Sequence, residues 1–63
     1  MIGKRLQSIL MEKGMTQREL AVKMNLSPQA ISLWVNDKSD PDLENFKLLA
    51  EIMEVSADEL LED

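Results

Sequence analysis

The sequence predicts an all-α domain of five short helices, and three observations carry that prediction. Apolar residues recur at three- and four-residue steps, and no strand-like alternation survives beyond a few residues. Helix-starting residues punctuate the chain: Thr16, Ser27, Asp42 and Ser56 each precede an apolar-periodic run, with Glu19 and Glu59 three residues after Thr16 and Ser56. Only 2 Gly and 2 Pro interrupt 63 residues, and 44% hydrophobic content suffices for an ordered chain.

The first helix is predicted over residues 2–13, with Ile2, Leu6, Ile9, Leu10 and Lys13 at helical spacing. Gly14 stops it, because glycine enters the left-handed region without steric cost. Thr16 and Glu19 then form a capping box, in which each satisfies an orphan backbone N–H of the other. The second helix accordingly runs over Gln17–Met24, with Leu20, Ala21 and Met24 inward, and Asn25 ends it. Ser27 caps the third, and Pro28 takes the first helical position, where its missing N–H costs nothing. This helix extends to about Val35, with Ile31 and Trp34 inward. After a polar loop, Asp42 caps a fourth helix carrying Leu43, Phe46, Leu49, Ala50 and Met53, of which Phe46 and Met53 are expected in the core with Leu20, Ile31 and Trp34. Ser56 and Glu59 open a last helix that ends near Leu61.

All 63 residues are read as a single domain. The chain has no Cys, His or Tyr, which excludes disulfides, thiolate or imidazole metal sites, and Ser-His or Cys-His nucleophiles. No apolar run approaches the ~20 residues that span a bilayer. So small a chain offers no deep pocket for catalysis. The acidic run Asp37, Asp40, Asp42 and Glu44 lacks the ligand order of a calcium loop, so caps and solvated charges are expected. The expectation is a cytoplasmic, non-enzymatic domain with no cofactor, no metal, no membrane and no small-molecule substrate.

Charge is unevenly spread. Residues 1–36 carry five Lys/Arg and two Asp/Glu, a net of +3; residues 37–63 carry two Lys/Arg and ten Asp/Glu, a net of −8. The overall −5 speaks against nucleic acid, but the front half does not. Salt screens charge over ~8 Å, so acids on the far side of a ~25 Å domain barely reach a phosphate on the near side.

Residues 16–36 carry the functional signal. Two eight-residue helices joined by a short turn must cross steeply. Ala21 permits close approach, and Leu26 fills the space under the turn. Such a helix-turn-helix offers the outer face of its second helix to the major groove. That face holds Pro28, Gln29, Ser32 and Leu33, with Asn36 at its end, and has no formal charge. Gln can be bidentate to adenine, Ser can donate or accept, and Pro or Leu can touch a thymine methyl. Gln17 and Arg18 lie at the start of the second helix, where free amides suit a backbone phosphate.

At these residues the chain resembles the phage-repressor/Cro-like (lambda-repressor-like) helix-turn-helix DNA-binding domains. The resemblance runs through Thr16-Gln17-x-Glu19-Leu20-Ala21, Asn25-Leu26-Ser27-x-x-x-Ile31-Ser32-x-Trp34, Lys38-x-x-Pro41-x-Leu43-Glu44 and Val55-Ser56-x-Asp58-x-Leu60-Leu61. It covers nearly the whole chain, and the combined spacing is what makes it specific. It implies a prokaryotic or phage transcriptional regulator that binds a palindromic operator in double-stranded DNA, usually as a dimer, with a recognition helix over 27–36. By position, Gln29 and Ser32 would face bases with Pro28 and Leu33 beside them. Gln17, Arg18, Ser27, Asn36 and Lys38 would meet phosphates. A weak homodimer patch is expected around Ala57, Leu60 and Leu61, flanked by Glu59 and Glu62.

The chain departs from that pattern in places. Relatives often carry Gly where this chain has Asn25, Asp37 and Glu54; a left-handed backbone at Asp37 or Glu54 would cost ~1 kcal/mol each. A frequent Arg–Glu pair is replaced by Leu10 and Val35, which are expected to touch. Arg5 is expected to pair with an acidic residue of the last helix. The loop after the third helix is acidic where relatives often carry Arg or Lys, so weak DNA binding is expected. The competing function is a protein-interaction domain that keeps this fold without binding an operator.

Overall fold

Five helices form in the computed structural model, which describes residues 1–61: α1 (Gly3–Lys13), α2 (Gln17–Met24), α3 (Pro28–Val35), α4 (Leu43–Met53) and α5 (Ala57–Leu61). Among the described residues there is no strand. The caps act where the spacing predicts them. Thr16 Oγ1 accepts from the Glu19 N–H at 3.0 Å while Glu19 Oε1 receives the Thr16 N–H at 3.3 Å. Ser56 and Glu59 repeat that exchange at 3.1 and 3.3 Å. Asp42 Oδ1 accepts the Asn45 N–H at 2.9 Å.

The first four helices end in one way. Gly14, Asn25, Asp37 and Glu54 all take the left-handed region, with φ of 64°, 58°, 56° and 58°. The next residue in each case returns its N–H to a carbonyl five positions back: Met15 to Leu10, Leu26 to Ala21, Lys38 to Leu33 and Val55 to Ala50, at 2.8–3.0 Å. The left-handed backbone expected at Asp37 and Glu54 is therefore present.

α1 begins one residue later than its apolar spacing suggests. Ile2 occupies the cap position, but it cannot cap, and its side chain is buried in the core. The missing acceptor comes from 34 residues away: Asp37 Oδ1 receives the Gly3 N–H at 2.9 Å. A carboxylate there also suits the positive end of the helix. The approach is close enough to require glycine, since a Cβ on Gly3 would overlap the Val35 carbonyl oxygen. Thus the start of α1 is seated on the exit of α3.

Leu6, Leu20, Ile31, Leu49, Met53 and Leu60 are fully buried, joined by Ile2, Ile9, Leu10, Ala21, Met24 and Trp34. Each large side chain so buried contributes about 1.5–3 kcal/mol relative to exposure. α2 and α3 share the most extensive helix–helix contact, with Ala21 buried; α1 packs on α3, α4 and α5. Leu10 and Val35 both join the core, Val35 only partly. Two expectations need correction. Phe46 is half-buried at the core edge, because α4 turns Leu49 and Met53 to the centre instead. Leu60 belongs to the core rather than to a surface patch: within the short α5 it is the residue that faces inward.

Candidate nucleic-acid interface

α3 divides sharply into two faces. Ile31 and Trp34 are 0% and 5% exposed and anchor it from beneath. Pro28, Gln29, Leu33 and Asn36 are exposed, and Ser32 is half-buried beside them. The four residues expected to meet bases therefore share one outward strip, free of charge and open to solvent. Leu33, at 46% exposed, has no core role that would explain an apolar residue there.

The residues expected to meet phosphates frame this strip. Ser27 Oγ accepts the Ala30 N–H at 3.4 Å, which leaves its hydroxyl proton to donate. At the start of α2, Arg18 is exposed and Gln17 half-buried. The capping box occupies the Glu19 N–H there, so the Gln17 and Arg18 amides are the ones left to face an anion. Lys38 is exposed, with its backbone fixed by the bond to Leu33 at the end of α3. Asn36 behaves differently: its Nδ2 folds back along α3 and donates to the Ser32 carbonyl oxygen at 2.8 Å and to Ser32 Oγ at 3.3 Å.

Each acidic residue of the loop after α3 has a structural neighbour. Asp37 caps α1 and Asp42 caps α4. Asp40 lies 3.5 Å from the amino group of Met1, both exposed, a pairing that adds little stability. Arg5 Nε donates to the Glu59 carbonyl oxygen at 2.8 Å, which ties α1 to the last helix through a backbone acceptor where an acidic side chain was expected. Of the expected dimer patch, Ala57 and Leu61 are exposed and Leu60 is not; Glu62 lies outside the described residues.

Two contacts escaped the sequence reading. The Ser32–Asn36 pair has the i, i+4 spacing at which polar side chains meet on a helix, and that spacing could have revealed it. The Gly3–Asp37 contact joins residues 34 apart and has no local signal. Among the described residues no helix is long and apolar enough to cross a membrane.

The helix-turn-helix family matches residues 6–60. The chain is 36% identical over 59 residues to the HTH-type transcriptional activator BcrR of Enterococcus faecalis, covering 94% of this chain and 29% of that protein. It is 37% identical over 60 residues to the HTH-type transcriptional regulator ImmR of Bacillus subtilis strain 168, covering 95% of this chain and 47% of that protein. The chain thus spans less than half the length of these curated relatives. No solved structure matches it significantly.

Proposed function

The chain belongs to the helix-turn-helix family, and from that premise we propose that it is the sequence-specific DNA-binding module of a transcriptional regulator. One observation carries this reading: an uncharged strip of Pro28, Gln29, Ser32 and Leu33 stands outward on a helix pinned by Ile31 and Trp34. α3 enters the major groove, where Gln29 and Ser32 meet base edges and Pro28 and Leu33 contact methyl groups. Gln17, Arg18, Ser27 and Lys38 hold flanking phosphates. The molecule measures 25 × 23 × 19 Å, two to three screening lengths of ~8 Å at physiological salt. Acidic groups far from the strip therefore weaken binding without forbidding it. Two copies on one face of a palindromic operator would place their strips about one helical turn apart. Ala57 and Leu61 are the exposed residues that would face each other in a weak dimer.

The test is selection of bound duplexes from a random library, followed by titration at several salt concentrations. The expected outcome is a selected palindromic sequence whose affinity falls steeply with salt. Gln29→Ala should lower affinity by about five- to two-hundredfold, the range for losing one bidentate base contact, with its loss concentrated on one base pair. Failure to select any duplex, with capture of protein partners instead, would favour an interaction domain.

A further inference from the structure

We infer that Asn36 is a specificity-determining positioning residue that fixes Ser32 as a hydrogen-bond donor toward DNA. This inference rests on the major-groove reading above and says which base edges that reading selects. The Asn36 amide is locked one turn beyond Ser32. Its Nδ2 donates to the Ser32 carbonyl oxygen at 2.8 Å and reaches Ser32 Oγ at 3.3 Å. The Asn36 backbone N–H joins the same carbonyl at 3.0 Å. A serine hydroxyl has one proton and two acceptor lone pairs. Asn36 fills one lone pair, and no acceptor among the described residues takes the proton. A hydroxyl that accepts a hydrogen bond becomes a stronger donor, because bonds in a chain polarise one another.

The group presented to the groove is therefore a strengthened O–H donor with one lone pair still open, and donation is its favoured role. In the major groove its partners are guanine N7 and O6, adenine N7 and thymine O4. The exocyclic amines of cytosine and adenine are donors themselves and meet only the one remaining lone pair, the weaker partner in an oxygen that already accepts a bond. With both bonds of its amide nitrogen given to Ser32, Asn36 keeps only its acceptor Oδ1 uncommitted. An acceptor has no hydrogen bond to offer a phosphate, so the side chain acts through Ser32 rather than on the DNA backbone.

The experiment compares duplex selection by the wild-type chain with that by Ser32→Ala, Asn36→Ala and Asn36→Asp, with melting temperatures measured on each. Ser32→Ala locates the base pair that Ser32 reads. The wild type is expected to enrich an acceptor edge there. Asn36→Ala should keep the melting temperature and the preference at the Gln29 pair, while relaxing the preference at the Ser32 pair by about two- to tenfold, the value of one hydrogen bond. Asn36→Asp puts an acceptor where the amide donor was, draws the Ser32 proton to itself, and should shift the preference toward an amine-bearing edge. An unchanged preference in Asn36→Ala overturns the inference. So does a wild-type preference for an amine, or a Ser32→Ala variant that reads no pair differently. A uniform loss of affinity in Asn36→Ala, with the salt slope reduced by about one, would make Asn36 a phosphate contact and also overturn it. Wild-type selection of no duplex at all would remove the DNA-binding reading and this inference together, whereas an altered outcome at position 36 alone removes only the inference.

Discussion

The turn after α3 and the turn after α4 have one backbone and two different surroundings. Asp37 and Glu54 share a left-handed φ, 56° and 58°, and each is followed by the same returning N–H bond. Neither is glycine, so each turn carries a strain of ~1 kcal/mol. The Asp37 carboxylate recovers that strain by accepting the Gly3 N–H, since a hydrogen bond to a charged group contributes about 1.5–3 kcal/mol. The Glu54 side chain is exposed and has no such partner among the described residues. A strained residue is tolerated in both places, but only in the first does its side chain do something a glycine could not. The contrast extends to the two aromatics: Trp34, close before the Asp37 turn, is buried under α3, whereas Phe46, near the start of α4 and far from the Glu54 turn, is half-buried.

Substitutions can break or sharpen this contrast. The largest effect should come from the aromatics. Trp34→Ala is expected to cost ~3–5 kcal/mol, enough to unfold so small a domain, and Phe46→Ala roughly half as much. Helical circular dichroism through a thermal melt checks both, and equal losses would mean that the front and back of the molecule are equally anchored. Next come the two sides of the clasp. Gly3→Ala should destabilise by about 1–3 kcal/mol, because a Cβ has no space beside the Val35 carbonyl. Asp37→Ala should lose about 1.5–3 kcal/mol, the value of a bond to a charged group. The double variant should fall short of the sum, as it does when two changes remove one contact. Denaturant titration of the four chains provides that cycle. The smallest effect carries the opposite sign. Glu54→Gly should stabilise by ~0.5–1 kcal/mol, a rise of a few degrees in Tm, whereas Asp37→Gly should not stabilise, because relief of strain is offset by the lost cap. A gain at Asp37→Gly as large as that at Glu54→Gly would show that the clasp contributes nothing.

What could be read from the sequence was local or periodic. The capping boxes at Thr16 and Ser56 and the outward strip of α3 follow from spacings of three or four residues, and the stops at Gly14 and Asn25 from residue types that accept a left-handed backbone. Such spacings fix which groups meet within one turn of helix. Phe46 and Leu60 were misplaced for a different reason. A helix of five residues, or one at the core edge, has too few apolar positions for periodicity to say which of them points inward. The clasp between Gly3 and Asp37 was beyond any periodic argument, because it depends on where two helix ends arrive in space. The acidic loop was legible in part, since caps were expected there and Asp42 is one, whereas the cap that Asp37 gives a helix 34 residues away was not legible. As a string of letters it is a loss of cations beside DNA; in the fold, Asp37 and Asp42 each start a helix.

That double duty constrains anyone who would engineer a tighter binder. The direct route, a lysine at position 37, would trade repulsion for attraction and at the same time unfasten the first helix from the end of the third. Ser39 is the better address: it is solvent-facing, lies two residues further on, and uses only its backbone to hold the turn. Positive charge added there leaves the clasp shut.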